Sequence, residues 1–368
     1  MRIIHSLEGT AWSGGQQQAL FVAQQQQQAG HDVLLACQLG GELERRAGAA
    51  GLRLWPNNYA GEMNLLSIAN LLRAYNSFKP DVVNVHRAWA HTQWLLISLF
   101  KRFRGLVVSR RVLFRPDFNP LSLIKYRTPV VKGFIAVSEA VAECLMATGV
   151  KREKIKVVYS ATDTDRFSPD VRHEPDGPIP AATPDADGLI PPVALMIANF
   201  HRNKGHHVLV EAFRQISSEW PQLQLMIAGN KTDCEELRNM VAGTPAAEKL
   251  HLLGFRSDVP ALIQRSSFTI NASFQEGFPG TVRESLCMGK PVIASAIPAN
   301  IEISRIVPIA LFEPGNSRSL AQEILKMKKS ASTAGWVHNA REAAMRFFSV
   351  PSMAARTEAA YRELTGLK

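Results

Sequence analysis

Two glutamates in the second half of the chain, Glu276 and Glu284, lie on either side of a turn that contains glycine and proline. The segment 281–288 after this turn has apolar residues at helical spacing, so we predict a helix there. The backbone N–H groups of Gly280 and Thr281 would then face outward at the start of that helix. A helix start binds anions through its free N–H groups and its positive dipole end. The spacing therefore predicts a phosphate-binding site between two carboxylates.

The elements that must position these residues follow an alternating α/β pattern. An apolar strand over 1–7 is followed by a glycine turn, a glutamine-rich helix over 16–29 and a second strand over 32–37. Strand, helix and strand in this order form a parallel pair joined by a crossover. The alternation continues to residue 159 and restarts at 193. We therefore expect an α/β protein with two doubly wound, Rossmann-like domains whose parallel sheets face an interdomain cleft.

The length of 368 residues also favours two domains. Seven prolines fall within 169–192, mixed with Asp and Gly, which is typical of a linker. We predict an N-terminal domain over 1–168, this Pro-rich linker, and a C-terminal domain over 193–351. The final segment, about 352–368, is predicted to be a long helix.

Composition and cysteine usage are typical of a soluble protein with reduced thiols. The chain is 46% hydrophobic and 20% charged, and no run approaches the roughly 18 apolar residues that cross a bilayer. The first residues enter a strand without a signal-peptide pattern, and the four cysteines are scattered without a CxxC pair. We expect a cytoplasmic protein without a zinc site.

Positive charge is concentrated in the first half of the chain. The net charge is +10, and residues 1–168 hold 21 Lys and Arg against 12 Asp and Glu, a difference of +9. Such a surface suits a membrane, a phosphorylated acceptor or nucleic acid, or it is simply a solvated basic rim. Arg110, Arg111 and Arg115 follow a predicted strand, and we assign them to docking an anionic acceptor or a lipid headgroup.

The longer string around the two glutamates carries a family resemblance. Residues 274–293 contain E-G-F-P-x-x-x-x-E and then G-K-P-V-I. This string resembles the donor-binding signature of the retaining, nucleotide-sugar-dependent glycosyltransferases of family 4 (glycosyl transferases group 1), which have the GT-B fold. The resemblance extends over nearly the whole chain, and it implies that the C-terminal helix crosses back to the first domain.

This resemblance implies an activity and its partners. A sugar would move from a nucleoside-diphosphate sugar, with UDP as the expected nucleotide, to a hydroxyl of a glycan or lipid-linked acceptor. The implied setting is the synthesis of lipopolysaccharide or another cell-envelope polysaccharide, peripherally on the anionic inner face of the cytoplasmic membrane. The enzyme would belong to class EC 2.4, would need no cofactor or metal, and would not bind nucleic acid.

The resemblance also assigns residues in the second half. Glu284 would accept hydrogen bonds from two ribose hydroxyls, and Glu276 would hold hydroxyls of the donor sugar. Lys204 matches a family lysine, whereas Asn199 replaces a family arginine, and we assign the missing positive charge to Arg202. The implied donor-binding residues of this half are Asn199, Arg202, Lys204, Gly229, Phe255, Arg256, Glu276, Gly277, Phe278, Pro279, Gly280, Thr281, Val282 and Glu284.

In the first half, Gly14 and Gly15 resemble the family's first glycine loop, which closes over the donor phosphates and sugar. His86 ends a predicted strand and keeps the second of two family histidines, whereas Asn84 replaces the first. The turn at 160–161 departs from the family's Asn-Gly, which affects only the predicted turn geometry.

The expected catalytic residues are His86, Lys204 and Glu276. The departing nucleoside diphosphate gains negative charge, and fixed cations stabilise it. The resemblance implies that a β-phosphate oxygen takes the acceptor proton, so no side-chain base is required. His86 would orient the sugar or share a proton.

Two alternatives belong to other classes of protein. A glycoside hydrolase could use Glu276 and Glu284 as acid and nucleophile, although eight residues along a helix leave two side chains about 80° apart. A basic, non-catalytic nucleic-acid-binding protein would explain the positive charge, but it leaves Lys204 and the two glutamates without a role.

Overall fold

Two parallel β-sheets, one in each half of the chain, organise the fold. A computed structural model describes residues 1–114, 120–180, 190–242, 247–329 and 334–367, excluding the side chains of 120–122 and 334–338. The chain divides into two compact units, Met1–Ala161 with Val350–Lys368, and Thr162–Ser349. The predicted α/β class with two Rossmann-like sheets is confirmed.

Among its described residues, the first unit has seven parallel strands: β1 (Arg2–Leu7), β2 (Asp32–Gln38), β3 (Arg53–Asn57), β4 (Val82–Val85), β5 (Gly105–Arg110), β6 (Val131–Ala136) and β7 (Ile155–Val157). The helices that connect them are α1 (Gly14–Gln28), α2 (Glu42–Ala49), α3 (Leu65–Phe78), α4 (Ala88–Ile97), α5 (Pro120–Arg127) and α6 (Glu139–Ala147). The strand order is β3-β2-β1-β4-β5-β6-β7. The chain adds strands β1 to β3 towards one edge of the sheet and strands β4 to β7 towards the other, so the order reverses between β1 and β4. Such switch points are where α/β sheets bind ligands.

Strand β3 and helix α5 lie outside the elements predicted from the sequence. Pro56 lies within β3, and a proline cannot donate a hydrogen bond to a sheet ladder. The strand forms nevertheless because it is at the edge of the sheet, where one side of the backbone needs no partner. Helix α1 begins at Gly14, two residues before the predicted start, so the two glycines belong to its first turn.

The described part of the second unit has six parallel strands: β8 (Val193–Ile197), β9 (Gln224–Ala228), β10 (Leu250–Gly254), β11 (Phe268–Asn271), β12 (Val292–Ser295) and β13 (Ala310–Phe312). Its helices include α7 (His206–Ile216), α8 (Glu235–Ala242), α9 (Val259–Arg265), α10 (Gly280–Cys287), α11 (Pro298–Ser304), α12 (Ser317–Lys329) and α13 (Ala334–Phe348). The strand order is β10-β9-β8-β11-β12-β13, which puts the switch point between β8 and β11.

The C-terminal helix, α14 (Val350–Thr365), belongs to the first unit. Met353 and Tyr361 share a buried cluster with Ile3 and Val107 of the first sheet. Removing this apolar surface from water stabilises the docked helix.

The boundary between the units falls at residues 161–162, before the predicted end of the first domain at 168. Residues beyond the boundary already pack on the second unit, because Arg166 donates to the carbonyl oxygen of Ser257 (3.1 Å) and the N–H of Asp176 donates to Asp258 (3.0 Å). Residues 181–189 of the predicted linker lie outside the described residues. Among the described helices, none has the length and apolar character needed to cross a membrane.

Candidate functional site

The start of helix α10 is open. Pro279 is its N-cap residue and provides no side-chain hydrogen bond, and the first turn contains no acidic residue. In the described part of the chain, the N–H groups of Gly280, Thr281 and Val282 have no backbone partner. The loop that leads into α10 follows β11 at the switch point of the second sheet. These free donors and the helix dipole form a site for an anion.

Lys204 and Glu276 meet beside this helix start. Lys204 ends a 3-10 turn that follows β8, and its Nζ lies 2.5 Å from Oε1 of Glu276 in the loop after β11. The hydroxyl of Ser273 donates to the same Oε1 (2.8 Å). The N–H of Phe274 donates to the carbonyl oxygen of Asn203 (2.8 Å), so the two loops are also joined through their backbones. Adjacent strands thus bring together two residues that are 72 positions apart.

Two glycines allow these loops to approach each other. Gly205 has φ +72°, and a Cβ there would lie 2.1 Å from the carbonyl oxygen of Ala272. Gly229 has φ +146°, and a Cβ there would lie 2.2 Å from the carbonyl oxygen of Ala198. Only glycine fits both conformations without strain. The packing of the second unit therefore accounts for Gly229, and its predicted contact with the donor stays a prediction.

Glu284 lies within α10, and its carboxylate is available to a ligand. Oε1 would be 3.6 Å from a Cβ built on Gly280, so the carboxylate lies beside the helix start. Burial raises the pKa of Glu284, and the attraction of Arg283 and Arg166 opposes that rise. Within the described ranges, its oxygens accept no hydrogen bond from the protein. A carboxylate left without donors is suited to accept hydroxyl groups of a ligand.

The loop after β8 holds the other predicted cation. Asn199 accepts a hydrogen bond at Oδ1 from the N–H of Asn230 (3.0 Å), so its side chain joins two loops of the protein. Arg202 is exposed in the same turn as Lys204, and no described carboxylate pairs with it. Of these two residues, Arg202 is the one that offers a positive charge to solvent.

The remaining predicted donor residues of this unit differ in exposure. Phe255 is 68% exposed, whereas Phe278 and Val282 are buried. The guanidinium of Arg256 pairs with Asp258 (2.5 Å) and also donates to backbone carbonyl oxygens, so it braces the protein itself. The ring of Phe255 and backbone groups are therefore what this loop presents. Gly277 and Pro279 form the turn before α10.

In the first unit, Gly14 and Gly15 form the first turn of α1, which has no acidic residue. The hydroxyl of Ser13 caps this turn by accepting the N–H of Gln16 (3.4 Å). A Cβ built on either glycine would meet nothing within 4 Å, so the fold itself does not require glycine there. Space next to an exposed backbone permits close approach of a ligand.

His86 directly follows β4 at the switch point of the first sheet and is buried. Its Nε2 lies 3.0 Å from Nδ1 of His5, and Nε2 of His5 lies 2.7 Å from Oε1 of Gln26. Burial, with positive charge from Arg111 nearby, lowers the pKa of both imidazoles, that of His5 to about 4. His5 and Gln26 were not predicted from the sequence, and the position of His5 on the strand next to β4 is the signal that could have identified this histidine.

Glu8 is a third residue that was not predicted. Its two carboxylate oxygens accept the N–H groups of Trp89 and Ala90 at the start of α4 (3.2 Å each), and Arg87 donates to its backbone carbonyl oxygen (3.0 Å). The carboxylate satisfies that helix start and fixes the backbone immediately after His86.

Asn84, which replaces a family histidine, has a structural partner. It accepts the hydroxyl of Ser109 (2.9 Å) and donates from Nδ2 to the hydroxyl of Tyr361 on α14 (2.5 Å). Asn84 therefore joins β4 to β5 and to the C-terminal helix.

Some of the predicted basic residues of the first unit already contact other side chains of the protein. Arg110 donates to the hydroxyl of Tyr126 (2.5 Å) and lies over the rings of Phe114 and Tyr126. Arg111 is half-buried near the two histidines. Arg115 lies outside the described residues.

Family models match both halves of the chain. Residues 12–166 match "Glycosyltransferase Family 4", and residues 191–330 match "Glycosyl transferases group 1". Each match includes predicted site residues, His86 in the first and Lys204, Glu276 and Glu284 in the second.

Curated relatives and a solved structure agree with these matches. The putative colanic acid biosynthesis glycosyltransferase WcaL of Escherichia coli is 25% identical over 72% of this chain and 66% of its own length. The N,N'-diacetylbacillosaminyl-diphospho-undecaprenol alpha-1,3-N-acetylgalactosaminyltransferase of Campylobacter jejuni is 26% identical over 55% of this chain and 53% of its own. The match thus spans about half to two thirds of these relatives. Anabaena HepE, solved in complex with UDP, has a TM-score of 0.81 and 19% identity, covering 98% of this chain and 99% of its own, and shares the fold.

Proposed function

The chain belongs to the family 4 and group 1 glycosyltransferases, and we propose that it transfers a sugar from a UDP-sugar, with retention, to a hydroxyl of a glycan or lipid-linked acceptor. The observation that carries this proposal is the grouping of Lys204, Glu276 and the open start of α10 at one end of the second sheet. The hydrolase and nucleic-acid-binding alternatives receive no support from the matching families.

The geometry suggests how the leaving group would be stabilised. The bond between the anomeric carbon and the β-phosphate oxygen breaks, and the acceptor oxygen bonds to that carbon on the same face. The acceptor proton passes to the departing diphosphate. Lys204, Arg202 and the N–H groups of α10 supply fixed positive charge where the negative charge develops.

The two carboxylates would have separate tasks. Glu276 is held by Lys204 and Ser273 through Oε1, which leaves its other oxygen for a hydroxyl of the donor sugar. Glu284 would accept both ribose hydroxyls, since its oxygens have no donor in the described protein. Phe255 would present its exposed ring to the uracil.

We further propose that the transfer is independent of a metal ion. The charge that a metal would supply is available from Lys204, Arg202 and the helix start. Among the described residues, no group of three or more His, Cys, Asp or Glu side chains is arranged to bind a metal.

The acceptor is proposed to be a lipid-linked or anionic glycan of the cell envelope, reached at the cytoplasmic face of the membrane. WcaL is named for colanic acid synthesis, and the Campylobacter relative is named for an undecaprenol-linked acceptor. The first unit also exposes large apolar side chains in the segments around Glu62 and Lys125: Met63, Leu65, Leu66 and Ile124. Glu62 and Lys125, which neighbour them in sequence, form an ion pair of 2.8 Å, so these segments are adjacent. Apolar side chains beside basic ones suit an anionic lipid surface.

Thermal unfolding with UDP-, GDP- and ADP-sugars tests the donor. A ligand at 100 times its Kd stabilises the fold by about 2.7 kcal/mol. We expect stabilisation by UDP and a UDP-sugar, and a lack of stabilisation by all three nucleotide classes would contradict the proposal.

Lys204→Ala tests the leaving-group role. Loss of a charge that stabilises the transition state should lower kcat by about 10²–10³-fold. Lys326→Ala is a matched control, because Lys326 forms a similar ion pair with Glu323 (2.6 Å) in the same unit and should leave kcat unchanged. Equal effects of the two substitutions would refute the assigned role.

Sedimentation with vesicles containing anionic phospholipid tests the membrane contact. Binding should weaken as salt rises, and Leu65→Ser with Leu66→Ser should weaken it further. Leu39→Ser, at an exposed leucine elsewhere in the unit, is the control. Binding that is insensitive to both salt and the paired substitution would exclude this surface.

A further inference from the structure

Three polar side chains form a hydrogen-bonded chain inside the first unit. Gln26 lies on α1, His5 on β1 and His86 directly after β4, and they are 1%, 0% and 8% exposed. The distances are 2.7 Å from Gln26 Oε1 to His5 Nε2 and 3.0 Å from His5 Nδ1 to His86 Nε2. The two imidazole rings are stacked, with centroids 5.2 Å apart.

The chemistry of the first member fixes the position of each proton. An amide oxygen only accepts hydrogen bonds, so Nε2 of His5 carries a hydrogen. Burial lowers the pKa of His5 to about 4, and a neutral imidazole has a single N–H. Nδ1 of His5 is therefore an acceptor, and the N–H that it accepts must be Nε2–H of His86. Burial also lowers the pKa of His86 well below its usual value, so Nδ1 of His86 keeps its lone pair.

That last nitrogen is the open end of the chain. Nδ1 of His86 is buried, and no described residue provides it with a hydrogen-bond donor. Leaving a buried polar atom without a partner is unfavourable, so such atoms mark places where a partner is to be supplied. His86 lies at the switch point of the sheet, where a substrate can supply it.

We propose that His5 and Gln26 are positioning residues that hold His86 in its Nε2–H tautomer, so that Nδ1 accepts a hydrogen bond from a hydroxyl of a sugar substrate. The inference rests on the proposed glycosyltransferase function, and it adds the direction of the hydrogen bond between His86 and the sugar hydroxyl. Nδ1 of His86 favours a group that can donate a hydrogen bond, such as a hydroxyl, and disfavours a group that can only accept one. The hydroxyl belongs either to the donor sugar or to the acceptor.

The tautomer can be observed in the free protein by long-range ¹H–¹⁵N NMR, without any substrate. We expect Nε2 of His86 to be protonated and Nδ1 to resonate at the position of an unprotonated nitrogen. A protonated Nδ1, which would follow if Gln26 presented its NH₂ group to His5, overturns the proposal. This measurement remains valid if the protein binds no UDP-sugar, so failure of the proposed function is separately visible.

Substitution of Gln26 tests the positioning role. Gln26→Leu removes the acceptor that orders the chain, whereas Gln26→Glu keeps an oxygen that accepts. We expect Gln26→Leu to lower kcat/KM about tenfold, the equivalent of one hydrogen bond, and to produce a mixture of tautomers. Gln26→Glu should restore both the tautomer and most of the activity. Equal activity of the wild type and Gln26→Leu, with circular dichroism showing both folded, would refute the role.

Ligand titrations identify the source of the hydroxyl. The ¹⁵N resonance of Nδ1 should move when the nucleotide-sugar is added if the donor sugar supplies the hydroxyl, and UDP alone is the control. It should move only with the acceptor glycan if the acceptor supplies it, and KM for the same substrate should then rise in Gln26→Leu. A resonance that moves with neither substrate contradicts the proposal.

Discussion

Replacing Glu284 with glutamine isolates the proposed ribose contact. Glutamine keeps the shape of the side chain and one acceptor oxygen, but it replaces the other oxygen with a donor. One charge-assisted hydrogen bond is lost and the second becomes neutral, which together cost about 2–4 kcal/mol. That cost corresponds to roughly a 30- to 1000-fold weaker affinity for UDP.

The unliganded protein should be almost unaffected by Glu284→Gln. The carboxylate receives no hydrogen bond within the described protein, so no donor is left without a partner. Burial disfavours the charged form of Glu284 and so raises its pKa, and replacing the carboxylate with a neutral amide removes that cost. The loss of its attraction to the buried Arg283 acts in the opposite direction. These two effects offset each other, and the free energy of unfolding should change little.

The effect is measurable by thermal unfolding with UDP and by titration calorimetry. At 100 times the wild-type Kd, UDP stabilises the wild type by about 2.7 kcal/mol, and a 30-fold loss of affinity lowers this to about 0.9 kcal/mol. For a unit of this size the shift in Tm should fall from about 5–10 °C to about 2–4 °C. Glu236→Gln, at an exposed position of α8, is the matched control.

A double-mutant cycle with 2'-deoxy-UDP makes the test specific. The wild type should lose affinity when the 2'-hydroxyl is absent, and Glu284→Gln should lose much less, because the partner of that hydroxyl is already altered. Wild-type affinity for UDP within a factor of about two in Glu284→Gln would refute the ribose assignment. An equal penalty for the missing hydroxyl in both proteins would refute it as well.

Two further predictions concern the first unit. Tyr361→Phe leaves Nδ2 of Asn84 buried without its acceptor, so the free energy of unfolding should fall by about 1–3 kcal/mol in urea denaturation. An unchanged midpoint would show that this hydrogen bond does not stabilise the docked α14. Burial lowers the pKa of His5 to about 4, so the unfolded chain takes up its proton near pH 6.5 and the folded chain only near pH 4. The contribution of His5 to the free energy of unfolding should therefore be fully present above pH 6.5 and should decrease by about 3 kcal/mol as the pH falls towards 4. In denaturation curves, His5→Asn should reduce this dependence of stability on pH. An identical dependence in the variant would show that other groups cause it.

The fold class could be predicted because each of its signals is local. Alternating apolar strands and helices indicate parallel sheets wherever the crossover between strands is helical. Strand β3 was not predicted, because a proline such as Pro56 argues against a strand unless that strand is known to be at the edge of a sheet. Edge position is a property of the assembled sheet.

In the candidate site, too, local features could be predicted from the sequence and long-range contacts could not. The start of α10 and the types of the residues beside it can be read from the sequence, because a helix N-terminus needs only its own neighbours. The role of Asn199 could not be read, because its partner Asn230 follows another strand. The same holds for Arg256, whose contacts with residues 177–178 depend on how that segment packs.

The sequence by itself determined the two Rossmann-like sheets, the helix start between Glu276 and Glu284, and the presence of lysine, glutamate and histidine in motifs of one family. Only the tertiary structure decided that Lys204 meets Glu276 across adjacent strands, and that Gln26 and His5 leave a lone pair on Nδ1 of His86. The physical reason is that helix starts and strand patterns arise from neighbouring residues, whereas burial, protonation and hydrogen-bond partners are set by distances through space.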